Sequence, residues 1–294
     1  MIVVTAPTSM IGRQVLDSVL RGAEPVRVIA LDPSRLSPQV REQVQVVEGS
    51  HGDHVVLNQA FSGAASVFWL LPPNLKALSV EAAYVDFTRP ACAAFRSHGV
   101  ERVVGISALG RGTAMAATAG FVTASLAMDD LIASSGVSYR ALTMPSFMDN
   151  LLRQLEPIKS KGIFFSPIDG DRKAPACATR DIAAAATKWL LDTSWRGNGE
   201  MAVLGPEDVS FNEMAQIMTQ VLGKPVRFQQ ISFEAYNARL VELGMSPAMA
   251  QGMTDMADAK NSGLDNAELR TPTNTTPTSF RQWCEEVLKP AVLA

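Results

Sequence analysis

A phenol with a lysine four residues on can protonate a carbonyl near neutrality, because the ammonium lowers the phenol's pKa. The chain holds three tyrosines, Tyr84, Tyr139 and Tyr236, and four residues beyond them stand Thr88, Thr143 and Leu240. That acid pair is missing, so any hydride chemistry must suit acceptors that need little acid assistance. No nucleophile elbow G-x-S-x-G occurs, which removes the serine hydrolase reading. His51 and His54 have an i, i+3 spacing that can suit a metal, but no third ligand type clusters with them, and Ser50-His51-Gly52-Asp53-His54 reads as a loop before a helix. Asp169 and Asp171 begin like a calcium loop but meet Lys173 and Arg180 at ligand positions. No metal is expected. Ser107 and Asn150 remain, a hydroxyl and an amide able to orient a polar atom of a substrate.

A second chemistry is anion binding. The stretch VVTAPTSMIGRQVLDSVL (3–20) runs from an apolar strand through a turn into a helix, the layout of a first βα unit in a dinucleotide-binding fold. Where such a turn reads G-x-x-G-x-x-G, this one has Ala6, Ser9 and Gly12. Gly12 keeps the role of close helix–strand packing. Ala6 is tolerable there with a negative φ, while the Cβ and hydroxyl of Ser9 stand where the pyrophosphate passes, either to obstruct it or to donate to it. Pro7 removes one N–H, yet the helix start at Met10–Gly12 still offers donors and a positive dipole end. Thr5, Thr8, Ser9, Met10, Ile11 and Gly12 are the candidate cofactor contacts on this turn.

Residues so placed need a sheet beneath them. Apolar runs at Ile2–Thr5, Val26–Ala30, Val44–Val47, Ser66–Leu70, Arg102–Ser107 and Tyr139–Thr143 alternate with helical periodicity from Ile11 and near Val55–Phe61, Ser79–Ser97 and Val122–Ser134. Such alternation predicts parallel strands with right-handed crossovers, an α/β Rossmann-like doubly wound sheet, over residues 1–150. After Pro145 the rhythm changes. The expectation is a loop over 162–175, a helix with Thr179 as its N-cap, a strand at Met201–Leu204, a helix from Ser210 to Gly223, a strand at Val226–Gln229 and helices at Phe233–Leu243 and Pro247–Lys260. The loop TPTNTTP and a terminal helix follow. Residues 151–294 are thus a smaller, mostly helical lobe, with some segments returning to the main sheet. Met245, Met249, Met253 and Met256 form a stripe at helical spacing; they are either helix core or, with Phe147 and Met148 opposite, the wall of a pocket for a flat apolar ligand.

The whole pattern resembles the NmrA-like atypical short-chain dehydrogenase/reductase family. The resemblance is carried by the turn above, by VRVIALDPSRL (26–36), FSGAASVFWLLPPN (61–74), HGVERVVGISALG (98–110), SGVSYRALTMPSFMDNLL (135–152), CATRDIAAAA (177–186) and VLGPEDVSFNEMAQIMTQVLGKPV (203–226). The run Ser232–Leu264 is similar to the helical lobe of that family's triphenylmethane and type-two quinone reductases. The resemblance implies a nicotinamide dinucleotide with Leu71, Pro72, Ser107, Pro145 and Phe147 beside it, and a substrate against Phe147, Met148, Met249 and Met253. The departures are specific. The family's NADP-selecting arginine falls on Leu31, so a guanidinium–phosphate fork is lost, while Asp32 suits the ribose hydroxyls of NAD and Arg35 suits a phosphate. The family's Gly-Asp after the third strand is Gly49-Ser50 here.

Length, charge and cysteines bound the remaining classes. A chain of 294 residues can bury a large core. A net charge of −3 gives no basic field for nucleic acid. Three scattered cysteines make no framework, and no apolar run approaches the roughly 20 residues of a membrane helix. The expectation is a cytoplasmic NAD(P)H-dependent reductase, monomer or homodimer, of an apolar carbonyl, quinone or conjugated small molecule, binding NADP or NAD weakly. A dinucleotide-sensing regulatory protein and a cofactor-independent enzyme reusing the cleft are the alternatives.

Overall fold

The computed structural model describes residues 1–294. Seven parallel strands form its main sheet: β1 (Ile2–Thr5), β2 (Val26–Ala30), β3 (Gln45–Glu48), β4 (Ser66–Trp69), β5 (Arg102–Ala108), β6 (Ser138–Met144) and, from much later in the chain, β10 (Gly199–Ala202). Their spatial order is β10-β6-β5-β4-β1-β2-β3, so the winding direction reverses between β1 and β4. In an open α/β sheet the crevice at such a reversal, outside the carboxyl ends of the strands, is where a ligand sits. β1 and β4 are buried at every residue. That is why they read as unbroken apolar runs rather than alternating ones.

Helices cover both faces. On one side α1 (Met10–Val19) turns Ile11, Val15, Leu16 and Val19 to the sheet, and α7 (Thr179–Leu191) lies beside it with Ile182, Ala186 and Leu190 in the same core. The short α2 (Pro38–Gln43) links β2 to β3, and on the other side α3 (His54–Phe61), α4 (Phe87–Ser97) and α5 (Phe121–Ala133) bury Leu57, Phe61, Phe95, Met128 and Ile132 around Trp69. Pro90 lies inside α4, where it can donate no hydrogen bond and its ring crowds the carbonyl four residues back. Residues Ala82–Asp86 widen into a π-turn immediately ahead of it, so the helix continues past the proline.

The second half is built on two small sheets. β7 (Ser146–Phe147) and β11 (Asp208–Val209) flank β9 (Ala174–Cys177), and β8 (Ile163–Ser166) pairs in parallel with β12 (Arg227–Gln230). The predicted loop over 162–175 is therefore corrected: it contains β8 and the start of β9, each too short and too interrupted by Pro and Gly to show a period. α6 (Leu155–Lys161), α8 (Phe211–Leu222) and the C-terminal helices from Phe280 enclose a core around Ile158, Phe164, Met218, Phe280 and Trp283. α8 opens on the capping box of Ser210 and Glu213 and ends at Gly223 in the left-handed conformation.

Thr179 is not a cap. Its N–H and hydroxyl both donate to Asp149, which stands 30 residues earlier, at 2.9 and 3.0 Å, and its hydroxyl accepts from Gln14 on α1. Asp181, two residues on, accepts from the N–H and hydroxyl of Thr278 at 3.1 and 2.9 Å. Two buried carboxylates thus join three distant parts of the chain.

α9 (Phe233–Glu242) and α10 (Pro247–Asn261) pack on each other, and α10 also packs against α5. At Gly120 the backbone of α5 meets α10 so closely that a Cβ would overlap the carbonyl of Gly252. Ser246 caps α10 by accepting from Met249 N–H, and its own hydroxyl donates to Ala77 in the loop after β4. Its N–H donates to Leu75 in the same loop.

Candidate functional site

The turn between β1 and α1 forms a cradle of backbone N–H groups. Ala6 holds φ at +47°, so the left-handed conformation that a glycine adopts freely is adopted here by an alanine. The condition under which an alanine sits there without strain, a negative φ, is thus not met. The carbonyl of Ala6 points beneath the helix start, accepting from the N–H of Ser9 at 3.0 Å and its hydroxyl at 2.8 Å. A Cβ at position 12 would overlap that carbonyl, which is why Gly12 stands there. Ser9 Oγ in turn accepts from Gly12 N–H and caps α1. Its single hydrogen is committed to Ala6, which leaves none for a phosphate; of the two readings of Ser9, donation loses its hydrogen. The N–H groups of Thr8, Met10 and Ile11 have no partner within the chain and crown the helix N-terminus.

Thr5, expected at the cofactor, lies beneath this cradle. Its fully buried hydroxyl donates toward the carbonyls of Phe68 and Leu70 and accepts from Leu70 N–H at 2.8 Å. It staples β1 to β4 and offers nothing to a ligand. Replacing Ala6 with glycine is expected to stabilise the protein by about 0.5–1 kcal/mol, the strain of an L-residue at positive φ less the chain entropy of glycine. Paired thermal melts check this.

At the carboxyl end of β2, where the sequence suggests an adenosine contact, Leu31 is 75% exposed and apolar. Asp32 caps a short 3₁₀ turn, one carboxylate oxygen accepting from the N–H and hydroxyl of Ser34, which hold it below its ordinary pKa. Arg35 is exposed and free of any ion pair. Ser50 Oγ accepts from Gly52 N–H. His51 is enclosed against Trp69 and Phe87, and that burial depresses its pKa to about 4. No cluster of three possible metal ligands occurs in the structure.

On the opposite side of the reversal Leu71 is buried and Pro72 exposed at the end of β4, Pro145 is buried at the end of β6, and Phe147 is half-buried. Asn150 is exposed, with no hydrogen-bond partner for its side chain. The expected substrate wall is corrected at two of its residues. Met148 is enclosed with Leu151 and Ile158 in the core beneath α6 and α8, and Met249 is fully buried against Ala83 and Phe121. Met148 and Met249 are packing residues of two separate cores, whereas Met253 keeps accessible surface.

Ser107, next to last in β5, joins a group the sequence reading did not find. Its hydroxyl hydrogen-bonds the Asp129 carboxylate on α5, and Ser125 Oγ lies 3.3 Å away. Tyr139 donates to the other carboxylate oxygen at 2.6 Å, its hydroxyl occupying the space left by Gly105. Arg111 Nη2 approaches Asp129 at 3.9 Å from the solvent side, where it also pairs with Asp130 and Glu200. Burial pushes the Asp129 carboxyl up to about 7, against the pull of Ser107, Tyr139 and Arg111. The signal was present in the helix. Ser125 and Asp129 fall in the same phase as the apolar Val122 and Ile132.

The sequence model of the NmrA-like family matches residues 1–284. The (4-alkanoyl-5-oxo-2,5-dihydrofuran-3-yl)methyl phosphate reductase of Streptomyces griseus subsp. griseus is 29% identical, over 97% of each chain. The NAD(P)H azoreductase of Xenophilus azovorans is 25% identical over 87% of this chain and 86% of its own. The NADPH-dependent quinone oxidoreductase of Escherichia coli, solved with NADPH, superposes with a TM-score of 0.78 at 20% identity, over 96% of this chain and 98% of that one.

Proposed function

The chain belongs to the NmrA-like family, and from that premise we propose an NAD(P)H-dependent reductase of an apolar carbonyl, quinone or conjugated small molecule. The observation that carries the reading is the cradle. Three unpartnered N–H groups at the start of α1, held open by Gly12 over the Ala6 carbonyl, stand at the reversal of the sheet and suit a pyrophosphate. Its preservation speaks for the reductase over a cofactor-independent use of the cleft, and the names of the relatives speak the same way.

The free oxygen of Asp32 suits ribose hydroxyls, and Arg35 suits an adenosine phosphate. Leu71, Pro72, Pro145 and Phe147 flank the nicotinamide, which when bound supplies the hydride. Ser107 holds the acceptor oxygen of the substrate, Asn150 lies across the mouth, and Phe147 and Met253 give the apolar walls against which a flat molecule stacks. A substrate that is itself a good hydride acceptor needs no tyrosine–lysine acid. We infer that the protein acts in the cytoplasm, as a monomer or homodimer. No helix of the structure is long and apolar enough to cross a membrane.

Calorimetric titration with NADPH, NADH and their oxidised forms tests the reading. Weak but saturable binding is expected, followed by nucleotide-dependent reduction of a quinone. No heat with any of the four at millimolar concentration would overturn it. Leu31→Arg is expected to raise the NADPH over NADH affinity ratio about tenfold or more, since a charged hydrogen bond to the 2′-phosphate contributes roughly 1.5–3 kcal/mol. The same titrations measure that ratio.

A further inference from the structure

We propose that Asp129 is a positioning residue whose protonation state decides which way the hydroxyl hydrogen of Ser107 points. The proposal rests on the reading that Ser107 faces the substrate, and the geometry supplies the switch. As a carboxylate Asp129 is acceptor-only. It then takes the hydrogens of both neighbours, one oxygen from Tyr139 at 2.6 Å and the other from Ser107. A serine hydroxyl has one hydrogen, so Ser107 keeps none for a ligand. As a carboxylic acid Asp129 donates to Ser107 Oγ through the same contact, while Tyr139 continues to donate to the other oxygen. The Ser107 hydrogen is then released toward the cleft, where it can hold the oxygen of an acceptor as that oxygen gains charge. Ser125, 3.3 Å from Ser107, can donate or accept in either state and so does not decide the direction.

The surroundings set where the switch falls. The groups facing Asp129 are Tyr139 from β6, Arg111 from the loop after β5 at 3.9 Å, and Glu200 on β10, which reaches it through Arg111. Asp130 on the same helix is exposed and also bound to Arg111. Cys92 on α4 is buried behind Tyr139, with its thiol pushed up to about 11 by burial, and stays neutral. One cation at a distance does not offset the loss of water around a carboxyl this deeply buried, and the group titrates near neutrality at about 7. The acid is the form that frees Ser107, so the pH dependence has a definite sign. Reduction falls as the pH rises through that value.

Asp129→Asn is the direct test, because an amide can donate permanently to Ser107 Oγ and accept from Tyr139. Wild-type kcat/KM is expected to fall about tenfold per pH unit above the midpoint, and the Asn variant to stay flat from pH 6 to 9. A limb that persists unchanged in Asp129→Asn overturns the proposal. A second readout needs neither nucleotide nor turnover. In difference infrared spectra of the free protein, a carboxylic acid band should disappear with a midpoint near 7 and be absent from Asp129→Asn; in Ser107→Ala the midpoint should rise by about one pH unit, because the substitution removes a charge-assisted hydrogen bond from the carboxylate and only a weaker neutral one from the acid. An unmoved midpoint in Ser107→Ala overturns the coupling even if every activity assay succeeds. Failure of all four nucleotides to bind would instead strike the reductase reading, leaving the infrared titration to stand or fall alone.

Discussion

Gly120→Ala is expected to lower stability by about 3 kcal/mol and to shift the melting temperature down by roughly 6 °C or more. Position 120 has φ +51° and ψ −109°, a conformation that costs an L-residue strain before any contact is counted. The added methyl would also overlap the carbonyl of Gly252, a backbone atom of α10 that cannot rotate away. Relief requires α10 to move off α5, and Met253 moves with it. The substrate KM should therefore rise while nucleotide affinity, set by the distant turn after β1, stays unchanged. Gly252→Ala is the control. There the methyl meets the side chains of Val80 and Phe121, which can shift, and the loss should be clearly smaller. Equal melting temperatures for Gly120→Ala and wild type would mean that the two helices do not cross this closely.

Asp149→Ala should cost about 3 kcal/mol, read as a fall in denaturant midpoint with an unchanged slope. The carboxylate accepts two hydrogen bonds at 2.9 and 3.0 Å in a buried setting, and its removal strands the Thr179 N–H and hydroxyl together. Leaving buried donors unpaired is more costly than the net worth of the bonds suggests. Asp149→Asn should lose about half as much, because the amide oxygen still accepts one bond while its NH₂ meets a donor. An alanine variant as stable as wild type would show that water replaces the carboxylate.

The fold was legible because the central strands are buried on both faces, so their residues form unbroken apolar runs whatever their neighbours do. β8 and β9 were not legible. β8 is four residues between Gly162 and Pro167 and β9 four residues with Pro175 inside it; neither carries a period, and each is a strand only because a distant segment pairs with it. At the site, Gly12 announced its role because no other residue fits over the Ala6 carbonyl. The sign of φ at Ala6 ran against its residue type, since an alanine ordinarily avoids that region. Thr179 read as a cap for the same reason that any threonine before a helix does; the residue that satisfies the helix, Asp149, is adjacent only in space. Asp129 was hidden by Asp130, because two consecutive acids look like a solvated face. Only helical phase separates the buried member from the exposed one.

The place of β10 in the sheet bears on how the protein is made. Its partner β6 ends at Met144, and β10 begins at Gly199. During synthesis β6 therefore leaves the ribosome with one row of its N–H and C=O groups unpaired, and waits for about 50 further residues. At ordinary elongation rates that interval is on the order of 3–10 s. Over the same interval the apolar face that α7 covers stays open beside it. An unpaired apolar strand is a template for other chains, so a nascent chain stalled between residues 150 and 190 is the form of this protein most in need of a chaperone.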